Sequence, residues 1–485
     1  MSQATQVLII GTGFAGIGMG IRLKQAGFHD FLIVERADSV GGTWRDNRYP
    51  GAACDIESHL YSFSFEPNPN WSRQFAPQRE ILAYLEHCVA KYGLGRHIHF
   101  GVDVTGATFD EADGVWQVDT SGALGTVRAK LVVSGCGGLS KPALPDIPGL
   151  HTFAGKTMHT ARWDPTHSLA GQRVGVIGTG ASAVQVIPSI VGEVGHLDIF
   201  QRTAPWITPK PDHPIRPITR TMFRRAPWLQ QLARTSLYWR HELLAFGFVV
   251  EPRLLRLAEP LVRKFLDQSV ADPVLREKLR PHYALGCKRV LPANDYYAAV
   301  QQSQVDLVTE GIAAVEPGGV RTKDGVLHRL DTLILATGFE AAEAVAPFPV
   351  RGRHGRDLSE SWRDGAEAYL GTAISGFPNL FLIVGPNSGL GHSSMIFMIE
   401  AQVHYILEAL RALTKKKLRF VDLRAERQRA YNIRLHQRLR KTVWASGCQS
   451  WYQTRTGKNT TLWPGFTVEF HLRTRRFNQA DYEVA

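Results

Sequence analysis

The chain reads as an α/β protein built from two Rossmann-like units, the second inserted in the first and itself carrying a helical insertion. Three observations carry that reading. Apolar Gln6–Ile10 runs into Gly11-Thr-Gly-Phe-Ala-Gly16, then a helix to about Gly27, then Leu32–Val34 ending at Glu35. Arg173–Ile177 repeats the arrangement with Gly178-Thr-Gly-Ala-Ser-Ala183, a helix to about Val191, and Leu197–Phe200. Far downstream, Asp331–Phe339 is a strand ending in Ala-Thr-Gly-Phe, after which the chain returns to the first unit. The expected division is residues 1–140, 155–325 and 326–485, with a helical insertion at about 209–283.

Composition sets the outer bounds. A length of 485 residues suffices for about three domains, and 44% hydrophobic with 21% charged residues is a globular balance. The formal charge of +12 is spread over clusters such as Arg216–Arg225 and Thr414–Arg419. No contiguous basic patch interleaved with aromatics argues for nucleic acid, and a simpler use of the charge is to steer anionic dinucleotides. The five cysteines, Cys54, Cys88, Cys136, Cys287 and Cys448, form no C-x-x-C or metal-ligand pattern, so a reduced, cytoplasmic chain without a metal site is expected. Disulfide reductases also join two dinucleotide folds, but their closely spaced redox pair is missing here. No signal-peptide pattern opens the sequence, and no apolar run reaches the ~18 residues of a membrane span.

In the first unit Gln6–Ile10 is a buried parallel strand. Gly11, Gly13 and Gly16 give the tight turn, let backbone approach a pyrophosphate, and let helix pack on strand; Glu35 is placed for a ribose diol. Its position at the start of the chain points to FAD. Trp116–Asp119 and Val127–Lys130 read as hairpin strands, and Leu131–Gly138 as the strand that closes the fold. Between them lies Gly41-Gly-Thr-Trp-Arg-Asp-Asn-Arg-Tyr-Pro-Gly-Ala-Ala-Cys-Asp55. After a proline-rich linker, Lys141–Gly149, comes Phe153-Ala-Gly-Lys-Thr-Met-His-Thr-Ala-Arg-Trp-Asp164. On composition alone, that stretch is as readily a surface crossover with a packed tryptophan as a functional segment.

In the second unit Gly178 and Gly180 open the helix, Ala183 replaces the third glycine, and Ser182 sits in its first turn. Gly11 to Glu35 is 24 positions, and Gly178 to Arg202 is also 24. The two units are in register, but one offers a carboxylate and the other a guanidinium. A carboxylate suits a free 2′-hydroxyl, and an arginine suits a 2′-phosphate. The expectation is FAD in the first unit and NADPH in the second, with Thr203 as a further phosphate contact. The arginine-rich amphipathic stretch from about Pro209 to Tyr283 reads as a packed helical subdomain. A dimer surface, a substrate lid and a membrane-surface contact are its alternatives.

Two of these stretches together resemble the type I Baeyer–Villiger monooxygenases. Phe153, Gly155, His159, Trp163 and Asp164 fill every fixed position of Phe-x-Gly-x-x-x-His-x-x-x-Trp-Asp. Gly41 to Asp55 fills Gly-Gly-x-Trp-x-x-x-x-Tyr-Pro-Gly-x-x-x-Asp. Gly286-Cys-Lys-Arg-Val-Leu-Pro-Ala-Asn-Asp-Tyr-Tyr297 resembles the family's Lys-Arg segment. The resemblance implies that Thr43 and Trp44 lie against the flavin, and that Asp55 approaches Arg289 as the active-site pair. It also implies that Lys288 joins Arg202 at the 2′-phosphate and that Trp451 belongs to a C-terminal segment folding over NADP. Without it, a Lys-Arg pair in a loop is simply solvated. The turn Gly385–Gly391 opens a helix at about Ser394 whose N-terminus faces either the flavin or nothing in particular.

The activity so implied is insertion of an oxygen from O2 beside a ketone carbonyl, by way of a flavin C4a-peroxide, giving an ester or lactone. A monomer or homodimer acting on a small ketone is expected. The alternative is a heteroatom-oxygenating flavin monooxygenase, which shares both glycine loops but lacks the Trp163–Asp164 ending and the arginine.

Overall fold

The computed structural model describes residues 3–340, 345–454 and 456–485. Gln3–Ile10 lies at the centre of the first sheet, parallel to Phe31–Glu35 on one side and Thr126–Ser134 on the other. Covered on both faces, it reads as an unbroken apolar run, with Val7, Leu8 and Ile9 fully buried. Thr126–Ser134 does two jobs in one strand. Its first half is antiparallel to Val115–Thr120, and its second half is parallel to Leu380–Leu382 from the far end of the chain. The hairpin and the closing strand expected separately are therefore one continuous element.

The second sheet is wholly parallel. Its order is Val305–Val308, His196–Phe200, Arg173–Ile177, Thr332–Leu335 and Lys156–His159. Thr332–Leu335 lies inside this sheet, and Val315 donates its backbone N–H to the carbonyl of Pro148 at 2.8 Å. The unit thus extends beyond both expected limits, 155 and 325. Its outer boundaries lie in loops, and a composition change does not mark them. The two crossings between units run side by side: Pro142 bridges Phe339, and Ala143 donates its N–H to the Gly338 carbonyl at 2.9 Å.

The insertion is four helices, Pro217–Arg225, Pro227–Val249, Arg253–Ser269 and Pro273–Lys278. The long second helix packs a polar face on the first unit. Buried Arg234 donates to the His59 carbonyl at 2.7 Å, and buried Glu242 accepts from the backbone N–H of Thr467 at 3.1 Å and its hydroxyl at 2.6 Å. Glu242 thereby caps the C-terminal helix Thr467–Thr474 with a carboxylate from another element.

The cysteine expectation is overturned at one pair. Cys287 and Cys448 form a disulfide, while Cys54, Cys88 and Cys136 are free. The bonded residues are 161 positions apart, so no local spacing announces the pair. No helix among the described residues is long and apolar enough to cross a membrane.

Candidate active site

Each glycine loop ends in a helix whose N-terminus is open. Gly11 has φ +99°, and a Cβ at Gly16 would lie 1.9 Å from the Gly11 carbonyl oxygen, so neither position takes a side chain. Around Gly13 a Cβ would meet nothing closer than 3.9 Å, leaving the start of helix Phe14–Gln25 clear. Glu35 is buried and tightly oriented. One oxygen accepts from the Thr12 N–H at 3.0 Å and its hydroxyl at 2.7 Å, and the other faces Arg45 at 3.1 Å. The second glycine stretch packs on the first: Gly41 donates to the Thr12 carbonyl at 3.0 Å. Thr43 begins a short helix in which Trp44 is buried, its indole N–H donating to the Tyr61 hydroxyl at 3.2 Å. The helix N-terminus beside these loops is left clear and has no acid in its first turn, which fits a dinucleotide pyrophosphate.

The second cradle repeats the design. Gly178 has φ +114°, Gly180 caps helix Ala181–Ile190, and that helix also lacks an acid in its first turn. Ser182 is half-buried there. Arg202 is exposed at the end of His196–Phe200, and with Thr203, Lys278, Arg280 and His282 it lines a cleft of about 850 Å³. Lys288 stands close enough that burial first, and then the Arg202 charge, hold its ammonium below the ordinary lysine range. Among the described residues neither cation is paired with a carboxylate. Two unneutralised cations beside a helix N-terminus fit a phosphomonoester.

The loop ending at Asp55 joins the cradles. The Tyr49 hydroxyl donates to the Gln185 side-chain oxygen at 2.8 Å, and the Gln185 amide donates to the Ala53 carbonyl at 2.9 Å. A Cβ at Gly51 would lie 2.4 Å from the Gln185 carbonyl oxygen, so only glycine allows this approach. Asp55 then meets Arg289, 234 positions away. Arg289 Nε donates to one carboxylate oxygen at 2.6 Å and Nη2 to the other at 2.8 Å, while Nη1 reaches the Leu390 carbonyl at 3.3 Å. Burial opposes charge on Asp55, but the guanidinium outweighs it and holds the carboxyl below the usual range. Arg289 is in turn raised further above neutrality. Both side chains remain about a quarter exposed, at 25% and 24%, so solvent-sized molecules reach the pair.

Several groups around this pair escape the sequence reading. Tyr452 is buried with its hydroxyl unpartnered, and burial pushes it up to about 12, with Arg289 pulling the other way. His392 is buried with both ring nitrogens unpartnered; burial, then the charges of His241 and Arg289, push it down to about 3. His241, on the long insertion helix, bonds the His392 carbonyl at 2.7 Å and a Glu57 oxygen at 2.8 Å. Arg240 also pairs with Glu57. The only sequence signals are proximity to Asp55, Gly391 and Trp451.

The Phe153–Asp164 segment is the edge strand of the second sheet. Phe153 and Trp163 are core residues, and a Cβ at Gly155 would lie 2.2 Å from the Asp331 carbonyl oxygen. Asp164 accepts from Lys156 at 2.7 Å and from Thr166, and the Lys156 bond above all lowers its carboxyl. His159 is buried against Phe339 at the return crossing, with Nε2 unpartnered. Trp451 is half exposed, its ring 4.6 Å from that of Tyr452 and tilted 50° to it.

Known proteins share this fold. Residues 8–234 match the family model of pyridine nucleotide-disulphide oxidoreductases. Cys54, Cys88 and Cys136 inside that segment are unpaired. A Baeyer–Villiger monooxygenase of Pseudomonas aeruginosa is 46% identical over 482 residues, 99% of this chain and 91% of the relative. The chain belongs to the type I Baeyer–Villiger monooxygenase family. Among solved family structures, closed cyclohexanone monooxygenase superposes with a TM-score of 0.90 at 30% identity, covering all of both chains. The OTEMO complex with FAD and NADP gives 0.89 at 27% identity, again covering all of both. In this family member the two cradles, the Asp55 loop and the Arg289 segment therefore lie within one fold.

Proposed function

We propose that this protein consumes NADPH and O2 to convert a ketone into an ester or lactone, releasing NADP+ and water. The observation that carries the reading is the two-bond Asp55–Arg289 pair where the two dinucleotide cradles meet. FAD would be held by Gly11, Gly13, Gly16 and Glu35, with Thr43 and Trp44 alongside. NADPH would be held by Gly178, Gly180, Ser182, Arg202, Thr203 and Lys288. When bound, the flavin supplies reduction by NADPH and activation of O2.

The chain's own residues do the rest. An arginine does not titrate in the working pH range, so Arg289 keeps a fixed positive charge where negative charge gathers on the oxygen attacking the carbonyl. It stabilises that charge without surrendering a proton to it. Asp55 fixes the planar guanidinium by two bonds and offsets its charge between turnovers. Tyr452 and His392, both buried and neutral, help exclude water from the pair's inner side, which strengthens every charge interaction there. His159 packs against Phe339 at the return crossing, Trp163 fills the core of the second unit, and neither takes a chemical part.

The test is product analysis by gas chromatography on FAD-loaded protein with NADPH and a panel of ketones and sulfides. Ester or lactone in step with NADPH consumption supports the assignment. Sulfoxide as the sole product transfers the protein to the heteroatom-oxygenating group.

A further inference from the structure

The helical insertion turns the wrong face outward for a packed subdomain. Twelve of the 21 large apolar side chains exposed among the described residues fall between Ile218 and Leu261. On the long helix Pro227–Val249 and the residue after it they make a stripe: Trp228, Leu232, Trp239, Leu243, Phe246 and Val250. The spacings of four, seven, four, three and four keep them on one side over about 33 Å. Leu232 and Leu243 are 61% and 76% exposed. The opposite side of the same helix is polar and buried: Gln230 and Arg234 point into the protein, each with hydrogen-bond partners, while Glu242 is buried along the flank of the stripe. The stripe is therefore no surplus of a core-facing surface. The two helices that pack against it also expose apolar side chains, Leu254, Leu257 and Leu261 on Arg253–Ser269 and Ile218 and Met222 on Pro217–Arg225.

The charge around the stripe selects what covers it. Between Arg216 and Lys264 the sequence has ten Arg and Lys residues and three Glu. Glu242 is consumed inside the protein and Glu259 bonds the Leu285 N–H. Arg216, Arg225, Arg256 and Lys264 are exposed and, among the described residues, have no carboxylate partner. A second copy of the chain would set this positive surface against itself across a two-fold axis. An anionic lipid surface complements it and accepts leucine and tryptophan side chains at the headgroup boundary.

We propose that the helices between Arg216 and Lys264 form a docking surface for anionic membranes, lying in the headgroup plane with the Trp228–Val250 stripe inserted. The docked helix is the one whose inner side carries His241 against Glu57, so the lipid surface and the candidate active site occupy opposite sides of a single helix. The proposal stands whichever oxygenation the protein performs.

The test is co-sedimentation of the full, FAD-loaded chain with phosphatidylcholine vesicles, with and without phosphatidylglycerol, at low and high salt. The expected result is binding to the anionic vesicles that weakens with salt. The variant L232Q/L243Q/L257Q alters three exposed side chains, keeps flavin absorbance and turnover of a water-soluble ketone, and lowers partitioning at least about a hundredfold. The variant R225E/R256E lowers binding to anionic vesicles by about fivefold or more per charge removed and flattens the salt dependence. Failure of the wild-type protein to bind anionic vesicles overturns the proposal. So does a concentration-dependent dimer in sedimentation velocity that L232Q/L243Q/L257Q abolishes, because the stripe is then an interface between copies.

Discussion

Replacing Asp55 by Asn removes one charge from the candidate active site while nearly preserving its shape. The carboxylate accepts two charge-assisted bonds from Arg289, at 2.6 and 2.8 Å. Such bonds contribute about 1.5–3 kcal/mol each. Two considerations reduce that figure. Both side chains are about a quarter exposed, so solvent screens part of the attraction, and the asparagine oxygen can still accept one of the two bonds. A net loss of about 2–3 kcal/mol remains, equivalent to roughly 30- to 150-fold in the fraction of correctly placed guanidinium. The assay is ester formation and hydrogen peroxide release measured in parallel with NADPH oxidation. The expected outcome is ester formation reduced roughly 30- to 150-fold, NADPH oxidation largely retained, and the balance appearing as hydrogen peroxide. Flavin absorbance should be unchanged, because Gly11 to Gly16 and Glu35 are untouched. Ester yield per NADPH within twofold of wild type would refute the reasoning that Asp55 positions Arg289.

Three further outcomes are expected. Arg202→Ala should raise the KM for NADPH by about ten- to a hundredfold and leave that for NADH nearly unchanged, since only the former has a 2′-phosphate; steady-state kinetics with both nucleotides checks this, and equal effects contradict the role. Cys448→Ser opens a loop of 161 residues; it should lower the melting temperature, with a chain-entropy ceiling of about 5 kcal/mol, and make the 447–460 segment more readily cleaved in limited proteolysis. His392, whose folded-state value of about 3 lies below the unfolded one, contributes stability that is present above pH ~6.5 and lost as pH falls from there to about 3. His392→Gln should flatten that acid limb in urea titrations run across the range, and an unchanged limb would remove His392 as its source.

What the sequence discloses follows from how far each constraint reaches. The glycine loops are legible because their requirements are local: a tight turn at Gly11, a close approach at Gly16, and a carboxylate or guanidinium a fixed distance downstream. The Phe153–Asp164 spacing is equally legible, yet its residues turn out to be largely packing: Trp163 fills a core and Asp164 holds Lys156. The Asp55–Arg289 encounter came only through family resemblance, because 234 intervening residues hide it. Cys287–Cys448 and the placement of Tyr452, His392 and Glu57–His241 have no local mark at all, since tertiary folding alone brings them together. The insertion misleads in a different way. Its amphipathic period is plain in the sequence, but period does not say which side faces the protein. Here the inner side carries Gln230 and Arg234, satisfied by backbone groups of Asn68 and His59. A rule that places apolar residues inward gives the opposite answer.

The most direct test of the central claim is product analysis of Arg289→Ala with a ketone that the wild-type protein oxidises. The expected variant retains FAD, still oxidises NADPH and yields no ester or lactone. Ester production at a substantial fraction of the wild-type rate would contradict it, and the fixed charge at the junction of the two cradles would then have to come from another residue.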